Sequence, residues 1–382
     1  MDFALTEEQQ LLKRTIREFA LAEIAPGAAE RDESARFPEE LVPKMAGLGL
    51  FGIMVAEDYG GAGYDTLSAA IVIEELARVD AAVALSVSAH NALCAAHIAA
   101  RGSEAQKRKF LVPLARGEKL GGWGLTEPGS GSDAAALQSR ATACEDGWRI
   151  SGEKQFVTNG SRADIYVVMA STDPARGKSG ISAFIVERGA EGLVAGPAMK
   201  KLGVRASDTA SLHFDGVRVA KENLLGELHE GFKDALRILA GARIGMAALA
   251  VGIAQGALDE AVRYAKARQQ FGKPIAEFEA VQWMLADTAT EIEAARLLVY
   301  RAARLKDLGR PFRQAASEAK LYAAEVAVRA ASKAVQIHGG YGYIKGSPVE
   351  RCFRDAKICE IGEGTSEVQR MVIAKELLRQ TQ

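Results

Sequence analysis

The sequence predicts an α+β fold, mostly α, because the texture of the chain changes twice along its 382 residues. Apolar residues recur at helical spacing up to about Gly117, short β-type runs replace them from Trp123 to about Val219, and long amphipathic helices return after Gly231. The expected domains are a helical one over 1–118, an antiparallel β domain over 119–227 and a four-helix-type bundle over 228–382. With 48% hydrophobic and 25% charged residues, disorder, collagen and a small disulfide scaffold are excluded. Lys and Arg number 48 against 49 Asp and Glu, so no overall field draws nucleic acid or an anionic membrane, and an anionic partner must meet a local site. No uninterrupted run of about 18 apolar residues predicts a membrane span.

In the first domain Thr6 and Gln9 form a capping box ahead of a helix carrying Leu11, Leu12, Ile16, Phe19 and Ala20, with breaks at Pro38, Pro43 and Tyr59 to Tyr64. No basic leader precedes it, from which a cytoplasmic location is expected, or the mitochondrial matrix for a processed eukaryotic chain. The β domain reads from Ile165 to Met169, Ala183 to Val186 and Ser211 to Phe214, with turns at Asn159-Gly160 and Asp215-Gly216. The last domain reads as helices over 232–270, 277–308 and 313–338, and a shorter one from Ser366 to the end. Ala247, Ala248, Ala250 and Ala254 form a seam suited to close helix packing within or between chains. Cys94, Cys144, Cys352 and Cys359 make no C-x-x-C pair and are expected as free thiols.

Several chemistries lack their residues. Gly129 and Gly131 have no third glycine for a Rossmann fingerprint, and there is no P-loop, no H-E-x-x-H and no assignable Ser-His-Asp set. His90, Cys94 and His97 share a helix face, but with no fourth ligand evident no metal site is expected. Two glycine-rich segments stand out instead. From Gly124 to Asp133, glycines leave backbone N–H groups free to approach a ligand and Thr126 and Ser132 add hydroxyls; a flexible linker is the alternative. The second segment runs from Gln336 through Gly339, Gly340 and Gly342, past Arg351 and Asp355, to Ile361–Ser366. Ser366 and Gln369 read there as a capping box for the last helix. Glu363, flanked by glycines, can project its carboxylate into a cleft, with a solvated loop residue as the alternative.

Three stretches in order, Gly124 to Ala136, Arg268 to Gly272 and Glu363 to Gln369, make the chain resemble the acyl-CoA dehydrogenase family of flavoenzymes over essentially its whole length. The resemblance implies that fold, FAD as cofactor, and α,β-dehydrogenation of an acyl-CoA to a trans-2-enoyl-CoA. In that scheme Glu363 removes the α-proton while the β-hydrogen leaves as hydride to flavin N5. It places Trp123, Leu125, Thr126, Gly131 and Ser132 along the flavin, and Phe156 and Thr158 at its ring system. Arg268, Phe271, Gln336 and Gly340 would reach a partner subunit's FAD, and Thr365 and Glu367 would meet the cofactor from the base's own loop. Ser132, Arg243, Gly362 and Gly364 would serve the substrate, whose thioester oxygen would accept from the Glu363 N–H and a ribityl hydroxyl.

The resemblance further implies an electron-transfer flavoprotein as electron partner and a homotetramer built as a dimer of dimers, with no metal and no nucleic acid. Where some relatives carry the base beside Arg243, this chain has Ala242. Ala240, Gly346, Glu279 and Phe156 depart from the usual Asp, acidic residue, Gln and Trp. Gly362 replaces the Tyr of straight-chain relatives, and His90, Asn91, Cys94 and His97 would line the acyl pocket, from which short to medium chains with room for branching are expected. The alternatives are an acyl-CoA oxidase or nitroalkane-oxidase-like enzyme using O₂, and a non-catalytic helical scaffold.

Overall fold

The computed structural model describes residues 4–380, so the outer ends of the first and last expected domains lie outside the described residues. The first helix, α1 (Glu7–Phe19), starts at the Thr6–Gln9 capping box and buries Ile16 while Leu11 faces solvent. Asp65 and Asp80 cap α2 (Thr66–Ala77) and α3 (Ala81–Ala89), accepting N–H bonds from Ser68 and from Ala82 and Val83. α3 runs on through a π-helical turn, His90–Ala95, and Ala96–Arg101.

An eight-stranded sheet follows: β1 (Gly121–Gly124), β2 (Arg140–Cys144), β3 (Gly147–Thr158), β4 (Ile165–Ser171), β5 (Ile181–Glu187), β6 (Leu193–Ala195), β7 (Thr209–Ala220) and β8 (Leu224–Leu225). Its order is β6-β7-β3-β2-β4-β5-β8, with β1 beside β4. The sheet is mostly antiparallel, as expected, with two departures: β1 lies parallel to β4, and β2 meets β4 in parallel at Arg140 and Ser171. Asp215-Gly216 is not a turn. It sits inside β7, where Ser151 of β3 faces two residues, and Gly216 at φ +61° takes up the bulge. Asn159-Gly160 does turn the chain, with Asn159 at φ +60°.

The last domain is α4 (Gly231–Ala267), α5 (Glu279–Asp307), α6 (Arg313–His338), α7 (Pro348–Ile361) and α8 (Ser366–Gln380). Helix α7 is an addition to the sequence reading, although Pro348 in its first turn and Gly362 just past its end mark it. The alanine seam of α4 is wholly buried within the chain, in a core shared with α2, α5, α6 and α7. Two helical stretches, Ala81–Arg101 and Gly231–Ala267, are after all long and apolar enough to cross a membrane. Since 89% and 67% of their apolar windows are buried, the fold itself accounts for that character.

Candidate active site

The first glycine-rich segment is a pinned loop rather than a flexible linker. Lys154 of β3 and Glu127 are both buried and pair at 2.7 Å, and Lys154 also donates to the Leu125 carbonyl at 3.3 Å. Glu127 accepts from the N–H groups of Gln138 (2.5 Å) and Ser139 (3.0 Å). Burial raises its carboxyl, but Lys154 and these donors outweigh that and hold it below the usual carboxylate range. Glu127 and Ser130 exchange backbone bonds, and Gln155 N–H donates to Thr126 O at 2.8 Å. That last bond ties Thr126 to the strand carrying Phe156 and Thr158. Phe156 stands on a bulge of β3 itself, at φ +57°, and is 67% exposed. Leu125 is buried, Trp123, Thr126 and Thr158 are half-buried, and Gly131 and Ser132 are exposed. Side chains added at Gly129 or Gly131 would meet nothing within 4 Å, so the loop borders open space.

Trp123 is oriented from behind: its indole N–H donates to His97 Nδ1 at 3.2 Å. His90 accepts from Gly121 N–H and donates to the Phe51 carbonyl, both at 3.0 Å, which places its proton on Nε2 and leaves no lone pair for a metal. Cys94 and His97 are buried as well, with the thiol turned to the Ile165 carbonyl. His90 and Cys94 pack against β1 and His97 against Trp123, whereas Asn91 donates to the Leu50 and Val87 carbonyls and lines a cavity with Ile73 and Gly241. Trp123 also packs on a buried cluster of Ala89, Leu93 and Ala242.

The second segment carries the opposite arrangement. Helix α7 is anchored by Asp355, which is buried and accepts from Val204 N–H at 2.5 Å, and by Arg354, bonded to Asp32 and Glu350. Immediately after α7, Glu363 takes φ +56° and Gly364 φ +97°, a left-handed pair of which only the glycine is free of strain. Glu363 is half-buried as a residue, yet its Oε2 is closed to solvent and has no hydrogen-bond partner. Burial pushes its carboxyl up to about 7, against the pull of Lys320 and Arg243. Arg243 is buried on α4, bonds Ser317 Oγ at 3.2 Å and leaves its Nε unpartnered. The Glu363 N–H donates to no oxygen among the described residues.

Two expectations for this segment are corrected. Thr365, not Ser366, caps α8: its Oγ1 accepts from Val368 N–H at 3.3 Å, while Gln369 turns to the Gly364 carbonyl at 2.8 Å. Gly362 leaves less space than its missing side chain suggests, because the movable Met246 methyl lies 2.9 Å from where a Cβ would stand. Sequence reasoning also passed over Lys320, Lys154 and Met246.

Arg268, Phe271, Gln336 and Gly340 form a separate group at the ends of α4 and α6. Arg268 lies over the Tyr341 ring at 5.6 Å, Phe271 is 93% exposed at φ +53°, and Gln336 and Gly340 are exposed. Glu367 is exposed at the start of α8. Arg268 makes no ion pair among the described residues, which suits an anionic group from outside the chain. With the open space at Gly129 and Gly131, the exposed Ser132 and Phe156 and the unpaired Glu363 oxygen, the residues present fit a flavin and a thioester. A cavity of about 180 Å³ lined by Ile73, Gly241, Gly245 and Lys306 lies on the opposite face of α4 from Arg243 and Met246 and does not include Glu363.

Family models for the acyl-CoA dehydrogenase N-terminal, middle and C-terminal domains match residues 6–118, 122–217 and 229–378. The chain is 51% identical over 379 residues to a short-chain specific acyl-CoA dehydrogenase of Clostridium acetobutylicum, covering 99% of this chain and all of that one. Butyryl-CoA dehydrogenase from Megasphaera elsdenii superposes with a TM-score of 0.97 at 48% identity, over 99% of this chain and 100% of that chain. A chain from a structure of the electron transferring flavoprotein of Acidaminococcus fermentans gives 0.98 at 49%, with the same coverage. With three domain models in order and relatives of half-identical sequence along its whole length, the chain belongs to the acyl-CoA dehydrogenase family of FAD-dependent oxidoreductases.

Proposed function

We propose that this enzyme oxidises a short, straight-chain acyl-CoA with Glu363 as its base, passes the electrons to an electron-transfer flavoprotein and works as a homotetramer in a reducing compartment, the cytoplasm. The observation that carries the assignment of the base is the Glu363 carboxyl, buried, with an unpartnered Oε2 and a pKa of about 7. An ordinary glutamate near 4.3 is too weak to take a proton from carbon; one near neutrality remains a usable base at pH 7 and holds the proton it receives. FAD, when bound, supplies the acceptor for the β-hydride. The chain's own contribution is position and charge: Glu363 Oε2 takes the α-proton, its free N–H can donate to the thioester oxygen, and burial strengthens both interactions.

The short-chain specific relatives support the substrate class, and so do the residues. Ala89, Leu93 and Ala242 form a small apolar cluster beneath Trp123, and the Met246 methyl lies beside Gly362, where a branch would have to displace it. Exposed Phe271, Trp283 and Met371 are apolar surface suited to subunit contacts, and all four thiols are free. Glu363→Gln should keep FAD while anaerobic flavin reduction by butyryl-CoA slows by about 10²- to 10⁴-fold, the range for losing a general base. A rate near wild type would reject the assignment, and stoichiometric peroxide in air without an acceptor flavoprotein would favour an oxidase.

A further inference from the structure

Helix α6 turns one cation into the core behind the proposed base. Lys320 is fully buried among alanines, and its Nζ donates to the Gly364 carbonyl at 2.8 Å. Gln369 Nε2 donates to the same oxygen at 2.8 Å, so two donors from two helices clamp the residue that follows Glu363. A neutral carbonyl does not offset a buried ammonium charge. The groups facing Lys320 are Cys359 and Glu360 of α7, Glu363 of the loop and Arg243 of α4. Burial pushes the Cys359 thiol up to about 12, so it is neutral, and Glu360 is paired with Lys357 at 2.6 Å. Arg243 is itself a cation, with Arg313 near it. Glu363 is therefore the acid left to balance Lys320 and Arg243, yet no hydrogen bond joins its carboxylate to either among the described residues.

We propose that Lys320 is a positioning residue for the base: it fixes the loop through the Gly364 carbonyl, and its charge, together with that of Arg243, keeps the Glu363 carboxylate available inside a site closed to water. This rests on the reading of Glu363 as the base. The separation matters chemically. A direct ion pair would hold the carboxylate in its charged form too firmly for it to accept a proton from carbon, whereas a cation spent on the neighbouring carbonyl lowers the cost of the charge without occupying the oxygen that reacts. Burial, which opposes charge on both groups, brings the Lys320 ammonium down to about 8 and Glu363 up to about 7, while the attraction between them pulls each back towards its charged form.

The test uses FAD-loaded enzyme and anaerobic flavin reduction by butyryl-CoA from pH 5.5 to 9 in Lys320→Met and Lys320→Gln. Gln keeps a donor for the Gly364 carbonyl and removes the charge. In both variants the acidic limb of the profile should move up by about one pH unit, so the loss relative to wild type should be about tenfold greater at pH 6 than at pH 9. Lys320→Arg should return the limb towards its wild-type position. If Lys320→Met fails to retain FAD, the Gln profile decides; a limb that stays in place in a folded, FAD-loaded Gln enzyme overturns the proposal. Glu363→Gln, run beside them, separates the two readings. If it retains the wild-type rate the base assignment fails, whereas if it is inactive and the Lys320 profiles are unmoved only the role of Lys320 fails.

Discussion

Each of the two glycine-rich segments contains a glutamate and meets a buried lysine, and the two pairs are wired differently. Lys154 bonds the Glu127 carboxylate directly at 2.7 Å, two backbone N–H groups complete the shell, and the carboxyl is held below its usual range. Lys320 bonds the carbonyl after Glu363, the carboxylate oxygen stays unpartnered, and burial raises that carboxyl to about 7. The first arrangement commits the charge to structure. The second leaves the charge unsatisfied and places the restraint on the backbone, which is what a group that must take up and release a proton requires.

The strongest way to break this comparison is to remove the carboxylate from the structural pair. Glu127→Gln leaves Lys154 buried without its counter-charge, and stability should fall by about 3–5 kcal/mol, read as a lower urea midpoint. Replacing both partners, Glu127→Leu with Lys154→Met, should recover most of it. The two glutamates should also carry opposite pH signatures. The folded pKa of Glu127 is depressed, so its contribution is present above the unfolded value and is lost as pH falls through the folded one. That of Glu363 is raised, so its contribution is present below the unfolded value near 4.3 and is lost as pH rises through about 7. The melting temperature of Glu363→Gln relative to wild type should therefore climb between pH 5 and 8, while the deficit of Glu127→Gln should shrink below about pH 4. Parallel curves would dissolve the contrast.

A smaller effect comes from the glycines. Gly131 borders open space and a Cβ at Gly362 would meet the movable Met246 methyl, so Gly131→Ala should be close to neutral and Gly362→Ala should cost about 1 kcal/mol as that methyl shifts. Met246→Ala should raise kcat/KM for isobutyryl-CoA relative to butyryl-CoA by about tenfold, within the usual range for a methylene-sized change in a pocket. An unchanged ratio would remove Met246 from the acyl wall. Smallest is the helix cap: Thr365→Ala should cost about 1 kcal/mol and Ser366→Ala less than about 0.5, by thermal or urea unfolding.

Local patterns were legible wherever they alone decide the structure. The Thr6–Gln9 box formed because both partners lie on one turn, and the long helices after Gly231 followed from their spacing. The cap of α8 missed by one residue because the same T-S pair offers two hydroxyls, and Gln369 was drawn back to the Gly364 carbonyl. Asp215-Gly216 read as a turn because turns and bulges both call for positive φ, and only pairing with β3 distinguishes them. The clustering of Glu363, Arg243 and Lys320 could not be seen from order alone, since three separate elements supply them. Lys320 did leave a trace, as one cation on a face of alanines at Ala316, Ala319, Ala323 and Ala324.

The Glu127–Lys154 pair also sets when the loop loses its conformational freedom. Each residue ordered costs about 1–2 kcal/mol in backbone entropy, and in this segment that loss is incurred during folding, together with the closing of β3. A cofactor arriving at the loop then meets a finished receptor and keeps its binding energy for its own contacts. Affinity at this edge of the site is thereby decoupled from loop dynamics, and the amides of Ser130, Gln138 and Ser139 should resist hydrogen exchange equally in apoprotein and holoenzyme.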